Sequence, residues 1–315
     1  MKLHFIINER AGNGKGKRVW KKLQNELKSP FSYHITEYKG HGIKIAQQIV
    51  NEDSASGETF LIIAIGGDGT IHEVMNGVRE APNVLVGAIC AGSGNDFSRS
   101  FPTFKSSHEI DKYVQESNFE YKTNDCGCFV WNEEKIRFIN NAGIGFDAFV
   151  AYTANLSRFK KHLNTLGLGK LSYAYSVLKS VFTFKMFDVI VEQGGQQRKY
   201  DNVWFVTVSN QPYFGGGMKI SPSSIPDDGL LELSIVYNLS RLKLLLMFVT
   251  VFFGAHIKLK EFVQVQDEQF TLYINDEVPC HTDGEILGLT KKNSKISCMV
   301  QKKCWKAVTK NSNTM

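Results

Sequence analysis

The residues with the clearest chemical potential are Gly66-Gly67-Asp68-Gly69-Thr70. They stand between an unbroken apolar run, Phe60 to Ile65, and a segment in which Ile71, Val74, Met75 and Val78 recur at helical spacing. An apolar run without alternation reads as a parallel strand buried on both faces, so the five residues join the C-terminal end of a strand to a helix N-terminus. Open α/β sheets bind ligands at that place. Glycines let the backbone come close to an anion and aim N–H groups at it, and the helix dipole adds positive potential. Asp68 sharpens the reading. A carboxylate beside polyphosphate repels it unless a divalent cation intervenes, so loop, Mg2+ and nucleotide phosphates form the expected assembly. A tight strand-to-helix turn with Asp68 and Thr70 as caps fits the isolated motif equally well.

Other elements must bring further loops to the same edge. Leu3 to Ile7 reads as a first buried strand, followed by the glycine-bearing loop Asn8 to Lys17 and a helix with Val19, Leu23 and Leu27 on one face. The loop has neither Walker A nor G-x-G-x-x-G spacing. Lys15 in it is either a phosphate contact or a solvated turn residue. Phe31 to Tyr38 alternates as a second strand, and Gly40 to Val50 is helical. The Phe60 strand and its helix follow, then a strand from Val84 to Ile89, then Ala91-Gly92-Ser93-Gly94-Asn95-Asp96-Phe97. The order β-α-β-α-β-α-β implies a parallel, doubly wound sheet. The loops after its first, third and fourth strands then meet at one crevice, which favours a nucleotide over a bare turn.

Beyond a linker from Pro102 to Ser107 and a short helix, Asp125 precedes a hairpin, Cys128 to Trp131 and Ile136 to Ile139. Asn140 to Asp147 is a further glycine-bearing turn opening a helix. Asn155 to Lys185 is basic and apolar by turns, with Arg158, Lys160, Lys161 and His162 before Leu171, Tyr175, Leu178 and Val181. It reads as a solvated helix packed on the body, with membrane contact as the alternative. Strands then dominate: Asp188 to Glu192, Asn202 to Ser209, Leu231 to Tyr237, Phe262 to Val265, Phe270 to Ile274 and Lys295 to Val300. Among them Leu244 to Ala255 is almost wholly apolar, too short to cross a bilayer of about 30 Å. A core helix is expected there, with membrane-surface contact as the second reading. Two polar clusters remain. Gly215-Gly216-Gly217-Met218, Ser221-Pro222 and Pro226-Asp227-Asp228-Gly229 suit either a hard cation or a surface turn. Asp283-Gly284-Glu285 offers a carboxylate on a tight turn as a general base.

Length and composition set the frame. At 315 residues, 43% hydrophobic and 22% charged, the chain suits two globular domains. A net charge of +6 is too small to argue for nucleic acid, though it suits anionic phosphates or an anionic membrane surface. The six cysteines show no zinc-site spacing and read as free thiols of a reducing cytosol. Met1 to Asn8 lacks a signal-peptide pattern. A cytoplasmic protein without a transmembrane segment is expected.

Four elements in order, Gly66-Gly67-Asp68-Gly69-Thr70-x-x-Glu73-Val74-x-Asn76-Gly77, Gly92-Ser93-Gly94-Asn95-Asp96-Phe97, Asp227-Asp228-Gly229 and Asp283-Gly284-Glu285, resemble the bacterial soluble diacylglycerol kinase-like lipid kinases. Their catalytic domain is shared with eukaryotic diacylglycerol, sphingosine and ceramide kinases. The likeness runs from Asn8 to about Val300. It implies a phosphofructokinase/NAD kinase-like doubly wound α/β domain over 1–125, a β-sandwich lipid-substrate domain over 126–300, and ATP between them, with 301–315 returning to the first domain or disordered. Carried over by motif, Asn8, Arg10, Ala11, Gly12, Thr36, Gly66, Gly67, Asp68, Gly69, Thr70, Ser93 and Asn95 contact the nucleotide. Asp68 and Asp125 belong to the network placing the catalytic Mg2+, and Glu285 is the proposed general base. Asp228, with the carbonyls of Ile225 and Leu230, matches a structural Mg2+ site. The chain departs from the family at Glu9, where proline is usual, and at Thr282, where Val or Ile is common.

The resemblance implies transfer of the ATP γ-phosphoryl group to a lipid primary hydroxyl, with diacylglycerol as the expected acceptor. The lipid would be met at the inner face of the cytoplasmic membrane, by a protein that dimerises by family analogy. Two alternatives stand beside it: an NAD kinase-like phosphotransferase acting on a soluble acceptor, and a nucleotide- or lipid-sensing module without turnover.

Overall fold

Buried strands of continuous apolar sequence need cover on both faces, and the first half of the chain meets that need with alternating helices. A computed structural model of the chain describes residues 1–54, 57–78, 81–116, 120–156 and 177–309. It divides into unit 1, Met1–Cys126 with Gly215–Gly217 and Gln301–Met315, and unit 2, Gly127–Phe214 with Met218–Val300.

Unit 1 runs β1 (Lys2–Ile7), α1 (Ala11–Glu26), β2 (Ser32–Ile35), α2 (His41–Asp53), β3 (Phe60–Gly66), α3 (Asp68–Gly77) and β4 (Val84–Cys90). The short helices α4 (Phe97–Ser100) and α5 (Ser107–Gln115) follow, then β5 (Tyr121–Trp131), which continues into unit 2. β1 pairs in parallel with β2 and β3, and β3 with β4, so the order is β2-β1-β3-β4. Every residue of β3 is buried, as its unalternated sequence predicts. β2 is shorter than the alternating stretch Phe31 to Tyr38 suggests. It lies at the sheet edge, where Tyr33, Ile35 and Tyr38 stay exposed. The core anchor of α1 is Trp20, packed 5.2 Å from Phe5, while Val19 and Leu27 only flank it. Glu73 of α3 accepts the N–H of Gly40 at 2.7 Å and of Gly42 at 2.9 Å, so its carboxylate satisfies the first donors of α2.

Unit 2 is antiparallel throughout: β6 (Glu134–Phe138), β7 (Asn141–Gly145), α6 (Phe146–Leu156), a helix over 177–183 (α7), β8 (Phe187–Gln193), β9 (Gln196–Ser209), the small pair β10 (Tyr213–Phe214) and β11 (Met218–Lys219), β12 (Leu231–Tyr237), α8 (Arg241–Val251), β13 (Phe262–Asp267), β14 (Gln269–Ile274), β15 (Pro279–Thr282), β16 (Glu285–Leu289) and β17 (Ser294–Val308). The long β9 is the hub, pairing with β7, β8 and β12. Its Trp204 is fully buried against Phe146 and Phe184, and donates its ring N–H to the Leu239 carbonyl at 2.7 Å. β17 pairs with β14 through Met299, then enters unit 1 and joins β4 in parallel at Lys306 and Ala307.

Three expectations change. Cys126 and Cys304 form a disulfide within unit 1, their Cα atoms 5.9 Å apart, because β5 and β17 bring together thiols 178 residues apart in sequence; the other four cysteines are free. Gly215–Gly217 belongs to unit 1 and is separate from the Asp227-Asp228 cluster. The apolar helix α8 buries only Leu244, Met247 and Val251. Of the basic stretch Asn155 to Lys185, residues 157–176, with Arg158, Lys160, Lys161, His162, Leu171 and Tyr175, lie outside the described residues, as do 310–315.

Replacing Glu73 with Ala strands two N–H donors of α2 and should destabilise unit 1 by about 1–2 kcal/mol. A lowered urea midpoint at unchanged slope is the expected readout.

Candidate active site

The order β2-β1-β3-β4 puts the topological switch point between β1 and β3, and an open α/β sheet binds ligands there. The loops leaving these two strands are joined: Asn8 Nδ2 donates to Thr70 Oγ1 at 3.1 Å, and Asn8 Oδ1 accepts the Arg10 N–H at 3.1 Å. Past Ala11 the backbone is left-handed at Gly12, Asn13 and Gly14, with φ of 56, 54 and 84°. A side chain on Gly12 would stand 2.2 Å from the Ala91 carbonyl oxygen, so this loop lies directly on the loop after β4. Thr36, at the end of β2, donates its N–H to the Ile7 carbonyl at 2.8 Å and so sits beside the start of the Asn8 loop.

The loops after β3 and β4 also touch. A Cβ on Gly92 would fall 2.5 Å from the Gly67 Cα, and one on Gly66 would fall 2.3 Å from Thr70 Oγ1. Gly67 is extended and precedes α3, whose first residue is Asp68. Asp68 Oδ1 accepts the Phe97 N–H at 3.0 Å, and Oδ2 would be 3.1 Å from a Cβ on Gly94, so this oxygen lies close against the Gly94 backbone. Ser93 is exposed on the loop. Asn95 takes φ of 52°, and its buried Oδ1 has no hydrogen-bond partner. Thus the loops carrying Asn8 to Gly12, Gly66 to Thr70 and Ser93 to Asn95 converge, bringing backbone N–H groups, an orphaned polar atom and a carboxylate oxygen to one sheet edge. A phosphate chain with a divalent cation fits that donor set.

The sequence reading missed two contributors. Asp96, within the fourth loop, is buried and accepts the Gly216 N–H at 2.8 Å, so the triple glycine becomes part of this site. Gly215, Gly216 and Gly217 have φ of 61, 90 and 105°, and a Cβ on Gly217 would stand 2.8 Å from the Arg99 guanidinium carbon. Burial raises the Asp96 carboxyl above its ordinary range; the Gly216 N–H opposes that shift and the charge of Asp68 adds to it. Asp125 is held elsewhere in unit 1: Oδ1 accepts the Lys303 N–H at 2.7 Å, and its carbonyl accepts the Trp305 ring N–H at 3.2 Å. Trp305 packs on Phe97 and Phe101, which links Asp125 to the Asp68 loop through an aromatic cluster.

In unit 2 the Asp283-Gly284-Glu285 turn resolves into distinct jobs. Asp283 accepts three backbone N–H groups, from Ile139 at 2.8 Å, Asn140 at 2.8 Å and Asn141 at 3.0 Å, so its carboxylate anchors the turn. Glu285 is half-buried at the start of β16. The Gly284 N–H donates to His281 Nδ1 at 3.2 Å; Nε2 therefore carries the proton and donates to Asp147 Oδ2 at 3.1 Å, where Thr207 also donates at 3.2 Å. The signal for Asp147 is its place at the end of the glycine-bearing turn Asn140 to Asp147. Nothing in the sequence around His281 announces it.

Asp147 also lines an apolar pocket of about 490 Å³, part of it open to solvent, whose walls include Phe146, Val150, Phe205, Phe248 and Val251. In the Asp228 cluster, Gln266 Nε2 donates to Asp228 Oδ2 at 3.3 Å and to Glu232 Oε1 at 3.2 Å, while the buried Glu232 Oε2 has no partner. Burial raises the Glu232 carboxyl, and the neighbouring charge of Asp228 adds to the shift. Ile225 is exposed, and the Leu230 N–H donates to Asp228 Oδ1 at 3.0 Å. No cluster of three or more His, Cys, Asp or Glu able to hold a metal exists among the described residues. A cation here would therefore use backbone carbonyls and water beside the carboxylates.

Comparison with known proteins follows the same division. Residues 2–122 match the diacylglycerol kinase catalytic domain, and 140–300 match the YegS C-terminal NAD kinase beta sandwich-like domain. "Putative lipid kinase YtlR" of Bacillus subtilis (strain 168) is 36% identical over 293 residues, 91% of this chain and 94% of that protein. The chain belongs to the bacterial diacylglycerol kinase-like lipid kinase family. A "Diacylglycerol kinase" of Mycobacterium tuberculosis (strain H37Rv) is 25% identical over 80% of this chain and 81% of its own length. The crystal structure of a putative diacylglycerol kinase from Bacillus anthracis str. Sterne superposes with a TM-score of 0.73 at 22% identity, over 99% of this chain and 98% of that one. Yeast NADH kinase complexed with NADH has a TM-score of 0.54 at 13% identity, over 99% of this chain and 84% of that one. This family member is thus a kinase whose fold joins an α/β unit to a β-sandwich. No described helix is long and apolar enough to cross a membrane.

Two outcomes test the loops. Gly92→Ala forces the third and fourth loops apart and should weaken nucleotide binding on the order of tenfold or more, as angstrom-scale misplacement does; unchanged affinity by calorimetry would contradict the packing. Because the folded-state pKa of Asp96 is raised, the native state holds the extra proton. Its stability should fall as pH rises from the ordinary carboxylate value through the raised one, and thermal melts of Asp96→Asn should lack that slope.

Proposed function

We propose that the chain transfers the γ-phosphoryl group of ATP to the primary hydroxyl of diacylglycerol, giving phosphatidic acid, and that it does so from the cytoplasm on lipid of the inner leaflet. The observation that carries the lipid acceptor is the apolar pocket of unit 2, in which Asp147 is the one titratable lining residue. Ten of its eleven lining residues are apolar, from Phe146 and Val150 to Phe248 and Val251. A polar acceptor has no use for such walls, whereas an acyl chain buries its methylenes there at about 0.8 kcal/mol each.

Phosphoryl transfer needs positioning and charge neutralisation more than covalent participation by the protein. In this reading the backbone N–H groups of Gly66 to Thr70, with Asn8, Arg10, Ala11, Gly12, Thr36, Ser93 and Asn95, hold the nucleotide. Asp68 would place Mg2+, with Asp125 in the supporting network behind it, and the cation when bound would neutralise charge on the transferring group. Glu285 accepts the hydroxyl proton, on a turn that Asp283 keeps rigid. Asp228, with the carbonyls of Ile225 and Leu230, holds a second, structural Mg2+, and Glu232 supports it from the interior.

The fold shared with yeast NADH kinase supports a second reading, phosphorylation of a soluble dinucleotide. ADP release measured with ATP and Mg2+ on mixed micelles of single lipids, beside a parallel NAD assay, separates the two. Turnover with diacylglycerol that is lost in Asp68→Ala supports the first; turnover of NAD alone supports the second. In the diacylglycerol reaction Glu285→Gln should lower kcat by about two orders of magnitude or more with ATP affinity nearly unchanged; equal losses in both would remove Glu285 from the role of base.

A further inference from the structure

Helix α8 carries two apolar stripes where a surface helix normally carries one. Leu244, Met247 and Val251 face the core of unit 2. On the opposite side Leu242, Leu246, Val249 and Phe253, at intervals of four, three and four residues, are 70, 63, 64 and 81% exposed. The helix ends at Val251, so Phe253, with Phe252 and Ile257 at 50 and 46% exposed, carries the apolar surface past the helix end. Helix α7 lies alongside, because Arg241 donates to the carbonyls of Val181 at 3.1 Å and Phe184 at 3.4 Å, and α7 adds the exposed Leu178 and Phe182. Contiguous apolar area of this kind marks an interaction surface.

Charge around the patch is predominantly positive, and the carboxylate beside it, Glu261, is paired with Lys243 at 2.7 Å. No Asp or Glu occurs between 177 and 187 or between 241 and 260, whereas Lys179, Lys185, Lys258 and Lys260 stand exposed at its ends. Apolar side chains flanked by lysines suit the headgroup layer of an anionic bilayer, where the apolar face inserts and each cation gains from the surface potential. The wall behind the patch is the apolar pocket itself: Val177, Met247, Phe248 and Val251 of the same two helices line it.

We propose that α7 and α8 form the membrane-docking face of this protein, which seats unit 2 in an anionic leaflet with its apolar pocket against the acyl-chain layer. This rests on the lipid-kinase reading only for the identity of what enters the pocket. A lipid chain reaching the pocket from this side stays in apolar surroundings throughout.

The test uses the full chain and the variant Leu242→Ser/Leu246→Ser/Phe253→Ser, whose three sites are exposed and touch neither the pocket nor the nucleotide loops. Wild type should co-float with phosphatidylcholine vesicles containing phosphatidylglycerol and do so several-fold less without it. The triple variant should partition at least about tenfold more weakly. It should lose turnover of long-chain diacylglycerol in vesicles yet keep wild-type turnover of a dispersed short-chain diacylglycerol. Equal partitioning of the two proteins overturns the proposal. So does a wild type that self-associates in sedimentation velocity through these residues with no difference in vesicle binding, which would make the patch a contact between copies. Vesicle binding lost in the variant, with no lipid phosphorylated by either protein, supports the docking face and overturns the kinase reading alone.

Discussion

Two stretches of backbone can touch only where neither carries a side chain, and Gly67 and Gly92 meet that condition. A single methyl at Gly92 would fall 2.5 Å from the Gly67 Cα, so the loops after β3 and β4 can close on one another only as this sequence has them. The rest of the loop cluster follows from that approach. It brings the Phe97 N–H to Asp68, turns Asp68 Oδ2 toward Gly94, and leaves the Asn8 loop to complete the cluster from the far side of β3. The scaffold beneath is rigid because β3 is buried at every residue and hydrogen-bonded in parallel on both sides.

The acidic motifs divide into groups that hold the protein together and groups left to act. Glu73 satisfies α2 and Asp283 satisfies three N–H groups at the start of β7, so both carboxylates are committed to backbone donors. Such commitment fixes geometry, since each oxygen that accepts a backbone N–H is held in place by it. Asp96 is the contrast. Burial and the neighbouring Asp68 make its ionised form costly, which is the electrostatic setting that a bound cation relieves.

Unit 2 holds its chemistry on an apolar body. His281 and Asp147 form a buried pair between the Gly284 N–H and the pocket wall, tying the turn that carries Glu285 to the apolar pocket. Helix α8 serves that pocket on one face and presents its second apolar stripe on the other. A purely structural helix at a protein surface would carry polar residues there.

The sequence by itself determined the parallel α/β unit, the glycine loops at its strand ends, the β-rich second half and the family, because strand-loop-helix periodicity and glycine-acid motifs are local patterns whose physical meaning survives without coordinates. Gly66 to Thr70 and Gly92 to Phe97 were legible in this way. Tertiary structure alone decided which distant residues join them. The triple glycine at 215–217 bonds to Asp96, Cys126 meets Cys304, and His281 meets Asp147 across 134 residues of chain. It also decided that α8 is apolar on two sides for two reasons, since periodicity counts apolar positions but cannot say which of them the fold covers. Those facts depend on strand order and packing, which no local spacing encodes.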